Sequence, residues 1–85
     1  MKKGFNANVH LTNGKTIFLH NLEYLTTSEV TVTVEFTNEF NERIFEENCE
    51  EICKETEGAR LKRKDRLFVL FLPTDVRVSY CAMFM

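Results

Sequence analysis

The chain has 85 residues, of which 44% are hydrophobic and 28% charged, with eight Phe, three Gly and one Pro. Such a composition excludes a disordered tail, and the length predicts a single domain over residues 1–85 whose small core hides about 60–65% of the unfolded surface. Three cysteines are an odd number and too few for a disulfide framework. No apolar run approaches membrane-spanning length, and Asn6, Asn8 and His10 interrupt the only N-terminal stretch that could act as a leader, so a cytoplasmic protein with no membrane partner is expected.

In chain order, Phe5, Ala7, Val9 and Leu11 alternate with Asn6, Asn8, His10 and Thr12, the period of a half-buried strand. Asn13-Gly14 then predicts a hairpin. A two-residue turn would mix apolar and polar residues on each face. A three-residue loop with left-handed Gly14 pairs Val9 with Ile17 and Ala7 with Leu19, leaving Asn8, His10, Thr16, Phe18 and His20 on the other side, and is preferred. A turn is expected at Thr26-Thr27-Ser28. Val30, Val32, Val34 and Phe36 mark a third strand, rich in β-branched residues.

A helix follows, capped by Thr37 or Asn38 and ended near Gly58. At 100° per residue, Phe45, Cys49, Ile52 and Thr56 share a stripe flanked by Ile44 and Cys53, with Glu39, Glu46, Glu47, Glu50 and Glu57 opposite. Ala59-Arg60-Leu61-Lys62 forms a short strand that Lys64-Asp65 turns back. Leu67 to Leu72 is an unbroken apolar run, predicted to lie centrally in the sheet with both sides covered. After a turn at Pro73-Thr74-Asp75, Val76, Val78, Tyr80, Ala82 and Phe84 mark one face of a last strand. The expected fold is α+β, an antiparallel sheet of five or six strands with one amphipathic helix across it, in the order βββαβββ.

The net charge of −2 hides an asymmetry: residues 39–57 carry eight Glu against Arg43 and Lys54, whereas residues 60–66 carry five basic residues against Asp65. The glutamates predict a face, Glu46, Glu47, Glu50 and Glu51, that steers a basic or nucleic-acid-binding protein partner. The basic cluster Arg60, Lys62, Arg63, Lys64 and Arg66 predicts the alternative, phosphate contacts from a hairpin tip, but has no interleaved aromatic and belongs to an acidic chain. An apolar surplus at Phe18, Cys81, Met83, Phe84 and Met85 predicts an association surface, hence a homodimer, although a closed barrel would cover it within one chain.

Catalytic and metal chemistry find little support. Cys49 and Cys53 share a helical face, but zinc needs about four ligands, and His10 and His20 stand roughly 13 Å apart at the usual strand rise. Neighbouring Glu46, Glu50 and Glu51 would raise a thiol pKa, opposite to what a nucleophile requires. No catalytic, cofactor-binding or metal residue is assigned. The expectation is a non-enzymatic protein-binding or regulatory module, an inhibitor or adaptor of the compact kind that mobile elements encode.

Overall fold

The computed structural model of the chain describes residues 2–28 and 30–82. Alternation at the N-terminus becomes β1 (Lys2–His10) and β2 (Thr16–Thr27), followed by β3 (Thr31–Glu35), α1 (Glu39–Glu55), β4 (Arg60–Lys64), β5 (Leu67–Phe71) and β6 (Arg77–Ala82). The six strands form one antiparallel sheet in the order β4-β5-β3-β2-β1-β6, so the α+β arrangement βββαβββ is the observed one.

The first hairpin takes the three-residue loop. Val9 pairs with Ile17 and Ala7 with Leu19. Leu11 N–H donates to Lys15 O at 2.8 Å, and Gly14 sits at φ 92°, a conformation that costs a side chain strain. Val9, Ala7, Ile17 and Leu19 are all buried on one face.

Beyond Leu19, the β1–β2 ladder slips three times. Moving away from the turn, β2 gains a residue between Leu19 and Leu22, β1 gains one between Phe5 and Lys3, and β2 gains another between Glu23 and Leu25. Each slip holds a residue of positive φ: Asn21 at 57°, Gly4 at 79° and Tyr24 at 48°. These bulges break the two-residue alternation, so Leu22 and Glu23 are buried consecutively and Leu25 follows them inward. They also bend β2, which pairs with β1 along most of its length and, among the described residues, with β3 through Thr26 and Thr27. The sheet curls until β6 and the start of β3 line one cleft of about 130 Å³, walled by Val30, Leu72, Val76, Val78 and Tyr80.

Helix α1 starts as the sequence suggests. Asn38 Oδ1 accepts from Phe40 N–H at 2.7 Å and Asn41 N–H at 3.3 Å, satisfying two otherwise orphaned donors. The stripe Phe45, Cys49, Ile52 and Thr56 faces the sheet and is buried, while Ile44 and Cys53 are half-buried at its margins. Phe45 meets Phe36 and Phe68 with ring centroids 5.2 and 5.6 Å away, and the latter two lie 5.8 Å apart, closing an aromatic triangle between α1, β3 and β5. Burying Phe45 and Ile52 contributes roughly 1.5–3 kcal/mol each.

The position expected for residues 67–72 is corrected. β5 is second from an edge, between β4 and β3. Phe68 and Leu70 face the core, but Leu67 is exposed and Val69 and Phe71 only half-buried on the outer side. An unbroken apolar run survives there because β4 sets cations beside it: Arg60 opposes Phe71, Lys62 opposes Val69 and Lys64 opposes Leu67, with the Arg60 guanidinium 5.0 Å from the Phe71 ring centroid.

The bulge at Asn21 yields a direct test. Asn21→Gly is expected to change the unfolding free energy by less than about 0.5 kcal/mol, and Asn21→Val to lower it by about 1–2 kcal/mol, because a β-branched side chain is strained in this conformation. Urea unfolding of the two variants checks this, and equal stabilities would count against the bulge.

Candidate functional site

The two charged segments of the sequence fold against each other. Glu42 lies one turn before Phe45 on the buried stripe of α1, and its carboxylate is only 7% exposed. A buried carboxylate needs positive partners. The β4–β5 hairpin supplies two: Arg63 Nη2 donates to Glu42 Oε1 at 2.8 Å and Arg66 Nη1 to Glu42 Oε2 at 3.2 Å. Arg63 also reaches Glu46 at 3.5 Å, donates from Nε to Asp65 O at 3.0 Å and lies 4.9 Å from the Phe68 ring centroid. The turn places both arginines by pairing Lys64 with Leu67 around Asp65, which takes φ 55°.

A second clasp joins the first hairpin to the far end of α1. Lys15 Nζ binds Glu51 at 2.8 Å and Glu55 at 2.5 Å, and Asn13 Nδ2 donates to Glu55 at 3.2 Å. Hydrogen bonds to Glu51 and Glu55 hold the Lys15 ammonium above its ordinary pKa, while those from Lys15 and Asn13 hold the Glu55 carboxyl below its own. Both shifts favour the charged pair across neutral pH. This support is lost as pH falls through the lowered Glu55 pKa, or rises through the raised Lys15 pKa. At the other end of the sheet, buried Glu23 accepts from Thr37 N–H at 3.0 Å, Thr37 Oγ1 at 2.7 Å and Asn41 Nδ2 at 3.3 Å, joining the bulged part of β2 to the start of α1.

These contacts redistribute the expected sites. Of the acidic face, Glu46 is engaged by Arg63 and Glu51 by Lys15, whereas Glu47 and Glu50 form no ion pair among the described residues. Of the basic cluster, Arg63 and Arg66 face the helix, and Arg60, Lys62 and Lys64 line the outer side of β4. Phe18 and Cys81 both lie on the outer face of the β6–β1–β2 half of the sheet, with Phe18 52% exposed, but their neighbours are polar. There His10 makes contacts of 3.3 Å to Thr16 Oγ1 and 3.1 Å to Ser79 Oγ, and the Phe18 ring packs edge-on against His20 at 4.6 Å. Met83, Phe84 and Met85, the rest of the expected association surface, lie outside the described residues.

The helical thiols are placed as structural groups. Burial, then Cys53 and Glu46, pushes the Cys49 thiol strongly up, and burial with Glu50 raises Cys53. Both shifts disfavour the thiolate that a nucleophile or metal ligand must present. Among the described residues no three His, Cys, Asp or Glu side chains gather as a metal site, and no helix is long and apolar enough to cross a membrane.

Three participants escaped the sequence reading. Glu42 stands three residues before Phe45 and seven before Cys49, so helical spacing alone puts it on the buried stripe. Glu23 owes its burial to the bulges. Phe40, 67% exposed in the first turn of α1, gives no sequence signal apart from lying off that stripe.

Glu42→Gln is expected to lower stability by about 1–3 kcal/mol, because two guanidiniums then share one neutral oxygen. Arg66→Met should cost about 1 kcal/mol or less, since that side chain is half exposed. Urea unfolding measures both, and a neutral Glu42→Gln would deny the carboxylate its role. In thiol titration with an aromatic disulfide reagent at pH 8, Cys81 should react first, Cys53 more slowly and Cys49 only on unfolding. Prompt reaction of Cys49 would contradict the packing of α1. No family model, curated protein or solved structure matches the chain.

Proposed function

We propose that the chain is a non-enzymatic protein-binding module that works through the outer row of α1. The observation that carries this reading is Phe40. Its ring stands 67% exposed at one end of a row continued by Arg43, Glu47, Glu50 and Lys54, at the three- and four-residue spacing that keeps side chains in line. The row runs along about 20 Å of helix. An aromatic anchor surrounded by charge has the make-up of an interface hot spot, with the ring filling a partner's pocket and the rim setting orientation. Glu47 and Glu50, which the internal clasps leave unengaged, offer carboxylates at the middle of the row to a partner's basic groups, between the cations Arg43 and Lys54. Regulation by occupancy, as an inhibitor or adaptor, is the corresponding mode of action: the module covers a surface and performs no turnover.

Two other readings have an observation each. The cations Arg60, Lys62 and Lys64 recur on one side of β4 next to Phe71, which gives the nucleic-acid alternative an aromatic neighbour that the linear sequence lacked. Phe18, exposed on the same outer sheet face as Cys81, supports self-association into a homodimer. The polar surroundings of Phe18 make that face a weaker candidate than the helix.

Pull-down from native lysate with wild type, Phe40→Ala and Glu47→Lys tests the proposal, because both positions are exposed and their substitution should leave unfolding within about 0.5 kcal/mol of wild type. A partner retained by wild type and lost at least tenfold in both variants is expected. Retention that ignores both changes but vanishes on nuclease treatment, or on charge reversal at Arg60 and Lys62, would transfer the function to the basic side. Sedimentation velocity of the isolated chain, with Phe18→Ser as control, tests the homodimer.

A further inference from the structure

We infer that the outer edge of β4 is a second docking site, one that accepts an extended acidic peptide as a seventh strand. β4 ends the sheet, and among the described residues no backbone group pairs with its outer edge. Because Lys64 and Leu67 close a two-residue turn, they form a hydrogen-bonded pair, and the alternation of an antiparallel ladder makes Lys62 with Val69 and Arg60 with Phe71 the next ones. The backbone N–H and C=O groups of Leu61 and Arg63 therefore point outward.

Beside this edge lies a groove of about 690 Å³, with Glu50, Cys53 and Lys54 of α1 on one wall and Ala59, Arg60, Leu61 and Lys62 on the other. Its floor is apolar: Leu61 and Cys53 pack against the core from positions that remain partly open. Its rim is cationic: Lys54 on the helix wall and Arg60 and Lys62 on the outer side of β4 outnumber the single carboxylate of Glu50, and Lys64 continues the same side of β4. Arg63 and Arg66 add nothing to this field, because Glu42 and Glu46 engage them.

Backbone ladder, apolar floor and cationic rim together select the occupant. An added strand satisfies the exposed N–H and C=O groups, places alternate small apolar side chains over Leu61 and Cys53, and turns the intervening carboxylates toward Arg60, Lys62 and Lys64. A nucleic acid answers the charge but cannot extend the ladder. This site shares Glu50 and Lys54 with the outer row of α1 but differs from it in needing backbone pairing and residues 60–64 and in not involving Phe40.

The experiment is fluorescence anisotropy at two salt concentrations with a labelled ten-residue peptide alternating Glu with Val or Thr. Companion probes carry N-methyl groups on either the Glu set or the Val/Thr set, and a ten-nucleotide oligo-dT completes the series. Binding of the unmodified peptide is expected to fall at least tenfold on Arg60→Glu/Lys62→Glu and to persist in Phe40→Ala. N-methylation should abolish it for one set only, the Val/Thr set if the strand runs antiparallel to β4. Absence of peptide binding would overturn the inference and leave the cations of β4 as guards against edge aggregation. Equal effects of the two N-methyl sets, or tighter binding of oligo-dT than of the peptide, would overturn it as well.

Discussion

The buried carboxylate of Glu42 is the constraint around which the second half of the chain is arranged. A carboxylate on the inner stripe of an amphipathic helix is unfavourable unless cations reach it, and the cations that do so, Arg63 on β4 and Arg66 in the turn after it, come more than twenty residues later. Docking the hairpin to satisfy Glu42 also lays Phe68 under Phe45 and Phe36. The polar requirement fixes where the hairpin sits and the aromatic contacts supply the larger share of the energy. Neither alone specifies the arrangement: the rings would tolerate a slid hairpin, and the ion pairs at a half-exposed margin would hold it weakly.

The first half of the chain solves a different problem. A flat sheet could not wrap one short helix, so β2 must bend, and it does so where Asn21 and Tyr24 leave the extended conformation and Gly4 answers across the ladder. The bend carries β6 round toward the start of β3. The bend shelters Leu72, Val76 and Val78 but leaves Phe18 and Cys81 exposed on the outer face, and β4 and β6 remain the two ends of the sheet.

Where local rules govern, the sequence was readable. The register of Val9 with Ile17 follows from the apolar pattern together with the conformational demand met by Gly14, and the stripe of α1 follows from helical period. Where a residue's environment is created by a distant segment, pattern failed. Glu42 was passed over as one glutamate among eight, because nothing in its own neighbourhood announces two arginines. Leu22 and Glu23 violate alternation for a reason that lies in the ladder with β1. The run at residues 67–72 suggested a doubly covered strand because apolar length reports cover without saying of what kind. Here the cover on the outer side is partial: the Arg60 guanidinium lies over Phe71, Lys62 stands opposite half-buried Val69, and Leu67 opposite Lys64 stays exposed.

Folding rearranges the charge map as well. In the linear sequence the acidic and basic segments look like opposed poles, each a candidate working surface. Folding cancels much of that polarity at their junction, where Glu42 and Glu46 meet Arg63 and Arg66, and Lys15 removes Glu51 and Glu55 from the acidic face. The charges that remain include Glu47 and Glu50 on the outward row of α1 and Arg60, Lys62 and Lys64 on the outward side of β4. Charges that a fold does not use to hold itself together, yet keeps on an unpaired helix face and an unpaired strand edge, are those with most freedom to be spent on another molecule. In a chain this small, the charges available to another molecule are set by the remainder that folding leaves and not by the composition.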